Sequence, residues 1–238
     1  LRYIGAAPNN YVSFNNELWR IVGVMRKIPD SSWEDGNVLK IIRDASYSSS
    51  ISWDTNSTGN WSTSTLKTEL NDRYLQTIQL PFKEMIRNSA WNIGNVAYSG
   101  LRSYDAKALY SSERGTTALV QPSMWTGSVG LLYMSDYVFA TGGINNTDRY
   151  SCLDDLWWSS TPDCHSNNWL QFAQNNWTLT LNSYASSYSA YYLTNTEDIG
   201  ENKSVYEYAI ATPVLYLDEN VKFVSGSGTR EDSYILDL

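Results

Sequence analysis

The sequence predicts an α+β domain, with antiparallel sheets, a few helices and long loops. The order of its patterns is the first reason. Alternating apolar runs come first, a four-residue periodicity follows, and short alternating runs return towards the end. The second reason is continuity, because no low-complexity linker and no repeat of 20–50 residues interrupts the 238 residues. The third is the apolar content of 42 %, which suffices for a sizeable core. One domain spanning 1–238 is the expectation, with its N- and C-terminal strands paired.

The elements follow in order. YVSFNNELWRIVGVM (11–25) reads as two strands around Asn15-Asn16, since both asparagines tolerate the positive φ of a two-residue hairpin loop. VLKIIRD (38–44) is a third, β-branched strand, ended by Asp44. In 60–78, Leu66, Leu70 and Tyr74 recur every four residues behind Ser/Thr caps, which predicts a helix. A second helix is expected over 80–94, with Pro81 in its first turn and Gly94 at its end. Residues 102–115 read as a third. In 127–143 a short apolar strand precedes a helical turn or two capped by Ser135 and stopped by Gly142-Gly143. From 155 to 216 short strands are expected at LWWSS, NNWLQF, NWTLTL, SAYYLTN and SVYEYAIATPVLYL. VKFVSGSGTREDSYIL closes the chain as a hairpin.

Charge narrows the partners. The net charge is −8 and Lys/Arg runs are absent, so the basic surface that nucleic acid or an anionic membrane demands is not there. No apolar run approaches the roughly 18 residues that span a bilayer. LRYIGAAPNN reads as the start of a domain rather than a signal peptide. The expectation is a piece of a longer surface protein, associated with a membrane only through parts of the parent that are missing here.

Cys152 and Cys164 stand twelve apart, flanked by turn residues. A local disulfide is the expected arrangement, and it implies an oxidising, extracellular compartment. Two free thiols are the alternative. A zinc pair fits less well, because zinc ligands usually stand two to four residues apart and His165 has no companion histidine. Sequons begin at Asn56, Asn60, Asn145, Asn176 and Asn202, and chance accounts for them in so Asn/Ser/Thr-rich a chain.

The motifs APNNYVSFNNELWRIVGV, IIRD, SWDTNSTGNWSTSTLKTELN, WNIGN, ERGTT, GSVGLLYMSDYVFATGG, WLQFAQNNWTLT, TPVLYL and GSGTREDSYIL together resemble a family of bacterial surface domains typical of gut Firmicutes. The resemblance covers nearly the whole chain. It implies a C-type lectin-like fold, in the branch that holds formylglycine-generating-enzyme-like domains and the variable proteins of diversity-generating retroelements. In that branch the ligand surface is built late, just before a terminal strand matched here by ATPVLYL (211–217). The matching display region is 177–208. Thr212 departs from the family's arginine, the acidic/Asn-Pro calcium and sugar motif is missing, and Cys152 and Cys164 lack the copper-binding context of the oxidase. That oxidase activity is therefore not carried over.

The candidate contact residues follow. Ten Trp and eighteen Tyr are many for this length, and they are aromatics with a polar handle. Tyr184, Tyr188, Tyr191, Tyr192, Tyr206 and Tyr208, with Asn195, form a Tyr/Ser/Asn-rich stretch of the composition antibody loops use. Strand alternation forbids Tyr191 and Tyr192 one shared face and allows it to Tyr206 and Tyr208. Trp158, Trp169 and Trp177 in the loop-rich half are candidate stacking platforms, whereas Trp19, Trp53, Trp61 and Trp91 are expected in the core. Each of these rings competes with a structural use in packing.

No catalytic residue is assigned. One histidine, no Gly-rich phosphate loop and no G-x-S-x-G leave only carboxylates as general bases. Asp136, Asp148, Asp154, Asp155, Asp163, Glu197 and Asp198 stand beside caps and turns, where Asp has structural work. No cofactor and no metal site is expected beyond a structural calcium at SCLDDL or NTEDIGEN, which lack EF-hand spacing. The expected function is ligand recognition or adhesion towards a protein or glycan. The rivals are a passive module of a surface fibre and a carboxylate-based glycan-active enzyme, the latter needing two carboxylates roughly 5–10 Å apart.

Overall fold

The computed structural model describes residues 1–26, 37–101, 103–113, 123–158, 161–182, 188–194 and 198–238. Tyr11–Phe14 (β1) and Glu17–Arg26 (β2) form the expected hairpin, with Asn15 and Asn16 at φ 56° and 58°. Asn37–Arg43 (β3) continues the meander. Ser48–Ser52 (β4) follows, a strand too serine-rich to show in the apolar pattern.

The periodic stretch 60–78 is helical in type, yet it is a run of short turns rather than one helix. A tight turn at Trp61–Thr63 precedes the α-helical turn Thr65–Thr68 (α1), and Glu69–Arg73 and Tyr74–Thr77 continue it with changed pitch. Asn60 and Ser64 accept the first backbone N–H groups. Leu66, Leu70 and Tyr74 are all buried, as their spacing requires.

The second expected helix is mostly absent. Phe82–Met85 makes one turn, and Ser89–Ile93 (β5) is a strand buried at all five positions. A strand covered on both faces shows no alternation, so an apolar run ending in glycine imitates a helix. Asn95–Val96 (β6), Tyr98–Leu101 (α2) and Ala106–Glu113 (α3) follow, the last inside the predicted 102–115. Ser123–Gly127 (β7) pairs with β5, and Val129–Gly130 (β8) is the short apolar strand. Met134–Ala140 (α4) begins one residue before Ser135, which is not its cap; the Asp136 carboxylate instead accepts the Tyr133 N–H at 3.1 Å.

Among the described residues, neither 156–158 of LWWSS nor NNWLQF forms a strand. The region holds two helices, Asn146–Asp154 (α5) and Pro162–Ser166 (α6). The Cys152–Cys164 disulfide joins them, with Cα atoms 5.7 Å apart. Asn176–Asn182 (β9) and Ser189–Leu193 (β10) stand where expected. Asn202–Ser204 (β11) is unexpected, and SVYEYAIATPVLYL is not one strand but a turn followed by Tyr208–Ala211 (β12) and Val214–Leu217 (β13). Lys222–Ser225 (β14) and Tyr234–Asp237 (β15) form the expected closing hairpin.

The architecture is α+β and mostly antiparallel. One seven-stranded sheet runs β14-β15-β1-β2-β3-β13-β8, and β1 and β15 join the two ends of the chain in parallel. A six-stranded sheet runs β11-β10-β9-β12-β4, with β6 beside β9. Buried apolar residues from Val12 to Leu236 form a single cluster that includes Trp19, Trp53, Trp61 and Trp91. Inside it, Lys40 of β3 is fully buried and paired with Asp136, and the rings of Tyr133 and Tyr216 lie 4.8 and 5.3 Å from its Nζ. Arg2 adds a second bond to Asp136 at 2.8 Å. No helix among the described residues is long and apolar enough to cross a membrane.

Candidate functional site

Five of the predicted contact side chains lie in the interior, which corrects their reading as an exposed surface. Trp158 donates to the Cys152 carbonyl at 2.9 Å and packs against Tyr137 and His165. Trp177 donates to the Ile51 carbonyl at 2.8 Å. Tyr191 donates its hydroxyl to the Val96 carbonyl at 2.9 Å, and burial pushes its pKa up. Tyr192 and Trp169 are buried too. For Trp177, Tyr191 and Tyr192 the physical reason is the sheet itself. Strands β9 and β10 are interior strands covered on both faces, so alternation sends neither side to solvent. Of the adjacent pair Trp157-Trp158, only Trp157 keeps partial exposure. Tyr184 and Asn195 lie outside the described residues.

Three predicted tyrosines do face solvent. Tyr188, Tyr206 and Tyr208 are 56 %, 56 % and 66 % exposed. The Val205 N–H donates to the Tyr188 carbonyl at 3.1 Å, which holds Tyr188 next to Tyr206. The Tyr188 ring rests on Gly59 so closely that a Cβ there would come within 2.5 Å of it. On β12 the alternation is plain: Tyr208 and Ile210 point outward, whereas Ala209 and Ala211 point in. This row leads from the tyrosines into a hollow of about 300 Å³ lined by Tyr208, Gln174 and Ser50. Gln174 and Ile210 also line the next cavity, so the two hollows adjoin along a shared wall.

That second cavity is the larger, at about 680 Å³, within the roughly 300–1,000 Å³ of small-ligand sites. Its walls come from both sheets and from the loop between α6 and β9. Arg20 lines this cavity. It stands directly opposite Tyr11 in the β1–β2 ladder, and its guanidinium lies 4.3 Å from the Tyr11 ring and 4.5 Å from the Trp169 ring. Trp169 is thus a stacking platform already occupied by an arginine. Its indole is fixed by a 3.0 Å bond to the Tyr3 carbonyl. Arg20 donates twice to Asn10 Oδ1, at 2.9 and 2.7 Å, and once to the Trp169 carbonyl at 3.1 Å. Asn10 is itself anchored by donating to the Ile21 carbonyl at 2.8 Å.

The other charges of the cavity are paired. Arg43 makes two bonds to Glu17, at 3.0 and 2.8 Å. Arg230 donates to Asp44 at 3.0 Å, and Arg230 also lies 5.4 Å from the Tyr11 ring. Arg20 has no carboxylate within ion-pair distance among the described residues. Burial lowers its pKa, opposed by Tyr11 and Asp44, and the guanidinium remains charged. The polar floor is Asn176, whose amide donates to the Thr212 hydroxyl at 2.7 Å. Thr212 contributes a neutral, hydrogen-bonding side chain there.

Three of the acidic residues considered as bases have structural partners. Asp136 serves Lys40 and Arg2, Asp155 accepts the Trp157 N–H, and Asp148 accepts from Asn145. Glu197 lies outside the described residues. No group of three His, Cys, Asp or Glu side chains among the described residues is arranged to hold a metal.

Sequence reasoning missed Arg20, Tyr11, Gln174 and Arg230. One sign was available: Arg20 interrupts the apolar run LWRIV between Trp19 and Ile21, where a charge needs a reason. What surrounds it comes from residues far away in the chain, and no local pattern carries that. Comparison of the chain with protein-family models, with curated proteins and with solved structures finds no match to any of them.

Proposed function

We propose that this protein is an extracellular recognition or adhesion domain that binds its ligand in the groove running from Arg20 to Tyr208. The carrying observation is that two adjoining hollows share the wall formed by Gln174 and Ile210. A ligand-sized cavity with a preset cation opens along β12 onto exposed tyrosines. Tyr11, Trp169 and Asn10 hold Arg20 rigidly before any ligand arrives, so little ordering remains to be done on binding. Tyr206 and Tyr208 add amphipathic area beside it at low rotamer cost. A single C-type lectin-like domain on a bacterial surface is the setting this reading takes from the motif resemblance. The Cys152–Cys164 bond supports an oxidising compartment.

The test is an array of glycans and surface proteins probed with the wild-type chain and with Tyr206→Ala/Tyr208→Ala. Binders whose signal falls several-fold in the double variant support the groove. Binders untouched by that variant and by Arg20→Gln put the contact surface elsewhere. A complete lack of binders favours a passive fibre module.

A further inference from the structure

We propose that the cavity at Arg20 reads the carboxylate of an acidic sugar, so that the ligand is a glycan carrying hexuronate- or sialate-type units. This rests on the recognition reading above and specifies its ligand. Charge balance is the first argument. The three arginines of the cavity face two carboxylates, Asp44 on the wall and Glu17 behind Arg43. One positive charge is left over, and it belongs to Arg20. On a chain of net charge −8 this is a local exception. A partly buried cation without a counter-ion is costly, and a ligand anion relieves that cost.

Donor geometry is the second argument. Arg20 spends three N–H groups on Asn10 and Trp169. A guanidinium carries five, so two have no protein acceptor among the described residues. The flanking rings fix the guanidinium plane, which suits a planar carboxylate. A phosphate monoester fits less well. Asp44 lines the same cavity and repels a dianion more strongly than a monoanion, and the surplus amounts to a single charge.

The rest of the lining favours hydroxyls. Among the described residues, Gln174 makes no side-chain hydrogen bond, the Ser46 hydroxyl makes none either, and the Thr212 hydroxyl accepts from Asn176 with its own proton still to give. These amide and hydroxyl groups surround the charged centre, as a polyhydroxylated ring with one carboxylate requires. A carboxylate on a peptide would instead bring apolar side chains. The Tyr11 and Trp169 rings are already occupied by Arg20, and the larger apolar side chains left on the walls are Ile42, Leu170, Phe172 and Ile210.

The experiment is calorimetric titration of the 238-residue chain with matched glycans. The acidic set is digalacturonic acid, a glucuronate-containing disaccharide and sialyllactose. The neutral set is the methyl esters of the first two, and lactose. Inorganic phosphate and a sulfated disaccharide complete the panel. At least one acidic member binds roughly 10- to 100-fold more tightly than its neutral partner, the worth of one charge-assisted contact. Arg20→Gln removes that preference. Arg20→Lys, which keeps the charge and loses the fork, restores only part of it. Gln174→Ala, at an exposed position, weakens acidic and neutral members alike. Thermal melts confirm that each variant is folded, and Gln174→Ala together with the ester comparison on wild type still decides the matter if Arg20 variants unfold.

Equal affinity for esters and acids overturns the proposal, as does tightest binding of phosphate or the sulfated sugar. An acid preference that survives Arg20→Gln in a folded variant overturns it too. If no sugar binds while a protein binds through Tyr206 and Tyr208, the carboxylate reading falls and the recognition reading stands. If nothing binds at all, both fall.

Discussion

Lys40 and Arg20 are cations on neighbouring strands of one sheet, each beside aromatic rings, and their surroundings differ in one respect. Lys40 has Asp136 as its counter-ion and is sealed from water. Arg20 has an asparagine and a carbonyl, and a cavity instead of an acid. Rings and dipoles suffice to position a cation; a full opposite charge is what neutralises it. The closed pair belongs to stability, and the open one is available for a ligand.

The largest effect tests the closed side. Asp136→Asn leaves Lys40 buried with an amide and costs about 3–5 kcal/mol in urea unfolding. A loss below about 1 kcal/mol shows that water or Arg2 reorganises to serve Lys40, and the contrast with Arg20 collapses. Next in size is the staple behind the cleft. Replacing Cys152 and Cys164 by alanine costs about 3 kcal/mol in the chain-entropy view, read as a lower urea midpoint.

The sealed interior also predicts alkaline weakness. Burial raises the pKa of Tyr137 and of Tyr191, so the folded state holds those protons more tightly than the unfolded one. Their stabilising effect is fully present below the unfolded value of about 10. It is lost as pH rises beyond that towards the folded values, at about 1.4 kcal/mol per pH unit for each group. Melts between pH 9 and 12 should fall steeply, and Tyr137→Phe or Tyr191→Phe should flatten the slope. The smallest effect is expected on the open side. Tyr206→Ala/Tyr208→Ala should change stability by about 0.5 kcal/mol or less per site, because these rings are mostly in water. A larger loss means that they pack, and that the groove's outer end is scaffold.

The same tyrosine content thus has two fates, and this marks what was legible in the sequence. The Asn15-Asn16 hairpin, β3, β9, β10, the closing hairpin of β14 and β15 and the buried Leu66/Leu70/Tyr74 stripe follow from alternation and spacing alone, whereas β11 and the break between β12 and β13 do not. The disulfide followed from spacing and turn residues. Strand β5 did not, because burial on both faces erases the period that distinguishes strand from helix. For the same reason Tyr191 and Tyr192 look like Tyr206 and Tyr208 in composition and end in opposite environments. Whether a strand is interior or has an open face depends on sheet order, a long-range property. Arg20's cavity is assembled from residues as distant as Tyr11, Trp169 and Arg230, so one visible oddity, a charge in an apolar strand, was all that could be read locally.

The bond from Asn176 to Thr212 has a practical corollary for producing the protein. Asn176-Trp177-Thr178 is a sequon, and all three residues are interior. Hosts whose secretory pathway attaches glycans to the nascent polypeptide meet this asparagine before it is hidden. A carbohydrate added at that moment would occupy the cleft floor and block closure of β9 against β12. Secretion from such a host yields correct material only where oligosaccharyl transfer skips Asn176, so a host without that modification is the sound choice for preparing the domain.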